Sequence, residues 1–150
     1  MKKTLVLAFF VLFAWNAQAQ DKAAIEWHSF DEVMALSEKE PKMIFVKVYT
    51  DWCGWCKKMD KETFTDSKVI QYINDNFYAV KMNAEDSDKK YSFRGKDYTD
   101  ETMARTMRVS SYPNFVIMDA GMENITQLPG YREPQAFLSS LSSLLDNFKP

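Results

Sequence analysis

The chain contains two cysteines, Cys53 and Cys56, separated by two residues in the stretch YTDWCGWCKKMD. A pair at this spacing can serve as a redox centre, as part of a metal site, or as a structural disulfide. A closed zinc site needs four ligands, and beside the cysteines the chain offers a single histidine, His28. A structural disulfide stabilises chiefly by closing a long loop, so two intervening residues contribute little. The spacing therefore favours a redox-active dithiol with no bound metal.

The cysteine pair is predicted to lie between a strand and a helix. Residues 43–49 (MIFVKVY) form a β-rich apolar run that is typical of a buried central strand. From Cys53 onward the charged stretch has helical character, with Cys56, Met59 and Asp60 along one side. Cys53 would then occupy the helix amino terminus, where free N–H groups and the helix dipole stabilise a thiolate. We expect Cys53 to attack a substrate disulfide, and Cys56 to resolve the mixed disulfide that forms.

Strand and helix patterns alternate along the rest of the chain until a hairpin and a closing helix. Further strands are predicted at 25–30, 78–82, 115–118 and 125–128, and further helices at 31–38 (capped by Asp31), from Asp66 or Ser67 to 77, at 100–107, and from Glu133 or Pro134 onward. Residues 84–99 are polar and charged, which indicates a surface insertion. This order predicts an α/β fold with a mixed central sheet flanked by helices on both faces.

The amino-terminal residues are organised like a secretory signal peptide. Residues 1–3 (MKK) are positively charged, residues 4–15 are apolar, and residues 17–19 (AQA) offer the small side chains that a signal peptidase requires. The apolar run is shorter than the roughly 20 residues of a membrane-spanning helix. We therefore expect cleavage after Ala19, a periplasmic or secreted location, and no stable membrane insertion of the mature domain, residues 20–150.

Charge and size restrict the possible partners. The chain has a formal net charge of −2, which becomes −4 once Lys2 and Lys3 are removed with the signal region. Acidic and basic residues are interleaved without a block of one sign, which argues against nucleic acid as a partner. The mature length fits one domain with a sizeable core. Export would place that domain where a disulfide can persist.

The stretch WCGWCK after a hydrophobic strand, together with SYPNF at residues 111–115, resembles the active-site region of the thioredoxin superfamily. The longer run YTDWCGWCKKMDKETF, followed by DSKVIQYINDNFYAVKMN, is similar to secreted bacterial thioredoxin-like proteins and to the C-terminal periplasmic domain of the disulfide interchange protein DsbD. The resemblance extends over about residues 25–148. It implies a thioredoxin-like fold and thiol–disulfide oxidoreductase activity without a cofactor. We expect a monomer that reduces protein disulfides, with an oxidase as the alternative, because the sequence does not fix the reduction potential. In an oxidising periplasm a reductase would need a membrane electron donor of the DsbD kind.

The resemblance assigns roles to individual residues around the cysteines. Trp52 corresponds to the indole that flanks the nucleophile, and Pro113 to a cis-proline whose loop faces the cysteine pair. With a cis bond there, the backbone of Tyr112 would pair with an extended segment of substrate. Trp55 stands where common thioredoxins have proline, and it fits either a substrate platform or an aromatic on the helix surface.

One position departs from the pattern of the superfamily. Many members have a buried aspartate six residues before the nucleophile, which helps to move the proton of the resolving thiol, and this chain has Lys47 there. Asp60 lies four residues after Cys56 on the same predicted helix side, and DsbD-type domains carry an acid at that offset. We expect Asp60 to serve Cys56, unless it is an ordinary solvated residue. Lys47 would either favour thiolates or extend its long side chain toward solvent.

Two other functions would use the same fold without disulfide turnover. A binding or chaperone module would hold unfolded chains in the groove beside Tyr112 and Pro113. A copper metallochaperone would use methionines, of which the chain has nine.

Overall fold

Seven strands and five helices are found among residues 23–148, which are the residues that the computed structural model describes. In chain order the strands are β1 (Trp27–His28), β2 (Met43–Tyr49), β3 (Phe77–Asn83), β4 (Lys90–Phe93), β5 (Lys96–Thr99), β6 (Asn114–Met118) and β7 (Ile125–Pro129). The helices are α1 (Phe30–Lys39), α2 (Gly54–Glu62), α3 (Ser67–Asn76), α4 (Asp100–Thr106) and α5 (Pro134–Phe148).

Five of the strands form a mixed sheet in the order β1-β3-β2-β6-β7. Strands β1 and β2 pair with β3 in parallel, whereas β6 is antiparallel to both β2 and β7. Side chains of α2, α3 and α5 contribute to the core on one face of the sheet, and those of α1 and α4 to the core on the other. The predicted mixed sheet with helices on both faces is confirmed.

The central strand β2 is buried on both faces, which explains its nearly continuous apolar sequence. On one face the Phe45 ring stacks on Phe115, with centroids 5.6 Å apart, and meets Phe137 edge-on at 6.1 Å. Side chains alternate along a strand, so Lys47 shares the face of Phe45. The opposite face of β2 carries Ile44, Val46 and Val48. This strand feeds directly into the cysteine pair.

Residues 84–99, predicted as a polar surface insertion, contain a hairpin that the sequence patterns did not indicate. Strands β4 and β5 pair antiparallel in this segment, joined at Arg94 and Gly95, whose φ angles of 52° and 74° suit a tight hairpin turn. Tyr91 is buried, and its ring stacks on Phe30 of α1 at 5.1 Å. Lysines, aspartate and serine alternate with the few aromatic residues, so the segment reads as polar although one side of the hairpin packs on the core.

Two predicted boundaries also differ from the structure. The first strand is limited to Trp27–His28, and Ser29 rather than Asp31 caps α1. Ser29 and Glu32 form a capping box, in which each side chain satisfies a backbone N–H of the other. This reciprocal pair leaves Asp31 in the first turn. Of the two caps predicted for α3, Asp66 and Ser67, the structure has Asp66.

The predicted signal peptide and its cleavage after Ala19 lie outside the described residues. Within residues 23–148, no helix combines the length and the apolar character that crossing a membrane would require.

Candidate active site

Cys53 and Cys56 form a disulfide at the amino terminus of α2. After β2 ends, the chain turns through a hydrogen bond of 3.2 Å from the Cys53 N–H to the Thr50 carbonyl oxygen, and Cys53 becomes the N-cap residue. The Cys53 sulfur accepts a hydrogen bond of 3.1 Å from the backbone N–H of Cys56. A thiolate at this sulfur would therefore be stabilised by a first-turn N–H group and by the positive end of the helix dipole.

Both cysteines are buried, but Cys53 is the more accessible of the two. Its exposed fraction is 4%, compared with 1% for Cys56, which lies within the first turn of the helix. An incoming disulfide would therefore meet Cys53 first.

The loop before β6 borders a groove beside the cysteine pair. The Tyr112–Pro113 peptide bond is cis, which is the geometry that the resemblance implies. Tyr112 and Pro113 line a groove of about 310 Å³ together with Trp55, Gly130 and Tyr131. The Pro113 carbonyl oxygen accepts a hydrogen bond of 2.8 Å from the Gly130 N–H, so the loop is tied to the end of β7. Trp55, which lies between the cysteines in sequence, connects this groove to α2.

Trp52 is exposed at the rim of the site but is held on two sides. Its indole N–H donates a hydrogen bond of 2.9 Å to a carboxylate oxygen of Glu85, and its ring meets Tyr112 edge-on at 5.9 Å. The sequence interpretation missed Glu85. Strands β2 and β3 are parallel neighbours, with Tyr49 opposite Asn83, so residues just after each strand meet at the same sheet edge. That placement is a signal that could have identified Glu85.

Trp55 belongs to a cluster of aromatic and charged side chains on the surface of α2. Its exposed ring lies 5.1 Å from Tyr131, and the Lys58 ammonium lies 5.4 Å from the Trp55 centroid and 4.8 Å from that of Tyr131. The Tyr131 hydroxyl donates a hydrogen bond of 2.8 Å to Glu62, and this bond raises the pKa of Tyr131. Trp55 is thus both a helix-surface aromatic and a wall of the groove. Tyr131 was missed, although an aromatic residue directly after the turn at Gly130 was a visible signal.

Lys47 is buried beneath α2 and paired with Asp60. Its exposed fraction is 1%, and its ammonium donates a hydrogen bond to the Asp60 carboxylate, whose side chain is 42% exposed. The Lys47 nitrogen also lies 5.2 Å from the centroid of the Tyr49 ring and 5.4 Å from that of Phe64. Burial lowers the pKa of Lys47, while the hydrogen bond and the charge of Asp60 oppose this effect. The alternative in which Lys47 extends toward solvent is therefore wrong.

The Asp60 carboxylate, paired with Lys47, lies one helical turn beyond Cys56. Four residues of α-helix advance about 6 Å along the axis, so Asp60 follows Cys56 closely on α2. Asp60 is neither free in solvent nor buried, because its partner Lys47 anchors it to the sheet side of the helix. Apart from the cysteines, the predicted site residues thus lie in two places. Trp52, Trp55, Tyr112 and Pro113 lie around the rim, and Asp60 lies beneath, paired with Lys47.

Side chains that could bind a metal ion occur in the described part of the chain but are not grouped into a site. No group of three or more His, Cys, Asp or Glu side chains among residues 23–148 could hold a metal ion. His28 lies in the edge strand β1, where its ring meets Tyr78 edge-on at 6.1 Å.

Comparisons with known proteins identify a matching family model and related proteins. Residues 30–145 match a family model described as a thioredoxin-like domain. The thiol:disulfide interchange protein DsbD of Tatumella citrea is 29% identical over 111 residues, which cover 73% of this chain but 18% of that protein. This chain therefore spans less than a fifth of that relative's length.

Two solved structures resemble this one over most of their length. The DsbH oxidoreductase superposes with a TM-score of 0.65 at 21% identity, covering 86% of this chain and 91% of the other. The C-terminal domain of Neisseria meningitidis DsbD in its oxidised form superposes with a TM-score of 0.58 at 16% identity, covering 75% and 90%. At these identities the structural likeness shows the shared fold.

Proposed function

This chain belongs to the family of thioredoxin-like domains, and from that membership we propose that it reduces disulfides in protein substrates as a thiol–disulfide oxidoreductase. The observation that carries the proposal is the Cys53–Cys56 disulfide at the amino terminus of α2, with a backbone N–H directed at the Cys53 sulfur. The relationship to DsbD supports the same chemistry. The dithiol itself would carry the electrons, so no further cofactor is required.

The reaction would proceed through two exchanges of sulfur–sulfur bonds. In the reduced protein, the Cys53 thiolate attacks one sulfur of the substrate disulfide, forming a mixed disulfide and releasing the other substrate sulfur, which takes up a proton. Cys56 then loses its proton and attacks Cys53, which releases the second substrate sulfur and forms the Cys53–Cys56 disulfide. The substrate gains two electrons and two protons, and the protein is left oxidised.

Asp60 is the group that we assign to the proton of Cys56. The second exchange requires the Cys56 thiolate, and this thiol lacks the N-cap position that favours ionisation of Cys53. Asp60 offers a carboxylate one turn away that is partly open to solvent, so a proton received there can leave to water. Lys47 keeps this carboxylate directed toward the inner side of α2.

The rim residues would bind the segment of substrate that surrounds the disulfide. Trp52 and Trp55 present exposed apolar rings on either side of Cys53 in the sequence. The groove beside Pro113, with a volume of about 310 Å³, would hold one side chain of an extended peptide, and the Tyr112 backbone would pair with the peptide main chain. Because Glu85 and Tyr131 hold the two indoles, these surfaces are organised before substrate arrives.

Insulin reduction tests the proposed activity. With dithiothreitol as electron donor, the chain should accelerate the reduction and precipitation of insulin well above the rate with dithiothreitol alone. The matched control is the same protein with both thiols alkylated after reduction, which should show only the background rate. No acceleration by the unmodified protein would contradict the proposal and would favour a binding or chaperone module that uses the same groove.

We also propose that the protein is exported and acts as a monomer that receives electrons from a membrane donor of the DsbD kind. The signal-like residues 1–19 support export, and the relationship to DsbD supports the donor. When the chain is expressed in a Gram-negative bacterium, the soluble periplasmic fraction should contain a protein that begins at Gln20. Amino-terminal sequencing and mass spectrometry measure this, and an intact Met1 terminus in the membrane fraction would contradict export.

A further inference from the structure

We infer that Lys47 sets the thiolate content of the reduced cysteine pair by holding a buried positive charge beneath the first turns of α2. The inference rests on the proposed function, because it concerns the reduced state that the reaction requires. Lys47 contacts neither substrate nor sulfur in this role. It acts on the sulfur atoms through its charge, as a positioning residue.

The fold places the ammonium under the helix that carries both sulfur atoms. Lys47 lies on the face of β2 that packs against α2, two residues before the strand ends and six before Cys53. Its nitrogen is hydrogen-bonded to Asp60, which follows Cys56 by about 6 Å along the helix axis. The charge therefore lies under the helix that carries the cysteine pair, on a side chain that is 1% exposed.

The surroundings leave this positive charge only partly compensated. Among the described residues, the charged groups that act on the Lys47 nitrogen are Asp60 from α2 and Lys81 from β3. The nitrogen also lies over the ring of Tyr49 from β2, whose phenol is titratable. Phe64 packs beside it, and Phe115 is its neighbour on β6. Lys81 is exposed, and Asp60 is partly exposed, so water screens both of these charges.

Water screens the Asp60 charge more than the Lys47 charge, and this difference decides whether the pair favours or opposes the thiolate. A charge inside the protein acts across a lower effective dielectric than a charge in contact with water. At the sulfur atoms, the buried Lys47 ammonium should therefore outweigh the half-exposed Asp60 carboxylate. A net positive potential favours a thiolate over a thiol. A buried carboxylate at position 47 would have the opposite effect, because its charge would repel the thiolate.

The inference predicts a lower acid dissociation constant for Cys53 when Lys47 loses its charge. In Lys47→Met, which keeps the unbranched stem of the side chain but not its terminal ammonium, we expect this constant to fall about three- to tenfold. At a pH where the wild-type thiol is ionised, the equilibrium between disulfide and dithiol shifts toward the disulfide by the same factor. The reduction potential should then fall, and a tenfold change corresponds to about 30 mV for two electrons.

Two further variants separate the charge from a structural anchor. Lys47→Gln is neutral but keeps an N–H group that can donate to Asp60, so an effect of charge predicts the same shift as in Lys47→Met. Lys81→Met is the matched control, because Lys81 pairs with Lys47 in register but is exposed, and it should leave the constant unchanged. Both Lys47 variants should fold, since Asp60 can be hydrated when its partner is removed.

The experiment is a pH titration of the reduced proteins, followed by thiolate absorbance in the ultraviolet and by the rate of Cys53 alkylation. Near-ultraviolet circular dichroism verifies that each variant is folded. A shift in both Lys47 variants and none in Lys81→Met supports the inference. A wild-type constant in either folded Lys47 variant overturns it. In Lys47→Gln alone it would mean that Lys47 is a structural anchor, and in both variants that Lys47 has no effect on the thiolate. If the wild-type pair does not cycle reversibly between disulfide and dithiol, the proposed function itself fails, whereas reversible cycling with an unchanged constant overturns only the role of Lys47.

Discussion

Cys53→Ser is expected to abolish insulin reduction, with a loss of about 10³-fold or more, because a serine hydroxyl at this position would not be ionised at neutral pH. Cys56→Ser should also stop turnover, but at a later stage. Its Cys53 thiolate can still attack a substrate disulfide, and no resolving thiol follows. Mixed disulfides between the variant and its substrates should therefore accumulate.

Non-reducing electrophoresis and mass spectrometry measure the trapped species. Cys56→Ser should yield covalent complexes that disappear on reduction, and Cys53→Ser should yield none. Limiting alkylation of the reduced wild-type protein provides an independent control, and it should label Cys53 first, because Cys53 is more accessible and occupies the N-cap position. Trapping by Cys53→Ser, or preferential labelling of Cys56, would reverse the assignment of the nucleophile.

Asp60→Asn is expected to slow the resolution of the mixed disulfide about tenfold near neutral pH, which corresponds to about 1.4 kcal/mol in the barrier. Asparagine keeps the shape of the side chain but cannot accept the proton of Cys56. Assistance by a general base contributes about 10²–10⁴-fold in favourable geometries, and a carboxylate one turn away should fall at or below the low end. Raising the pH should restore much of the rate, because hydroxide and buffer then deprotonate Cys56.

Single-turnover kinetics separate this step from the initial attack, whose rate should change far less. Asp75→Asn removes the same charge from an exposed position on α3 and is the matched control. In the Asp60→Asn background, Lys47→Asp should restore part of the rate and Lys47→Met should not, since only aspartate supplies a new carboxylate. Resolution at the wild-type rate across the neutral and mildly alkaline range would make Asp60 an ordinary residue of the helix surface.

The position of the cysteine pair was predictable because local patterns decide it. A continuous apolar run can be buried only as a central strand or a core helix, and the charged residues after Cys53 repeat at helical spacing. Cys53 was therefore expected at the start of a helix that follows the strand. The cis geometry at Pro113 came from the family resemblance, since a proline does not by itself specify its isomer.

The surroundings of Lys47 were not predictable to the same degree. A lysine in an apolar strand can be buried with a partner, or its side chain can extend to solvent. The local sequence is the same for the two arrangements and does not distinguish them. The outcome depends on Asp60, which packing of α2 on the sheet brings over Lys47 from thirteen residues away. The contacts that Glu85 and Tyr131 make with the indoles likewise join distant segments. Such contacts depend on tertiary packing, which the periodicity of a single sequence does not predict.

The reduction potential of the Cys53–Cys56 couple tests the proposed reductase most directly. The protein would be equilibrated in a series of glutathione or dithiothreitol buffers, and the fraction of disulfide measured after acid quenching and alkylation. We expect a single reversible two-electron transition, with a potential nearer to the value of about −270 mV for thioredoxin than to that of about −120 mV for DsbA. The absence of a reversible transition, or a potential close to that of DsbA, would contradict a reductase.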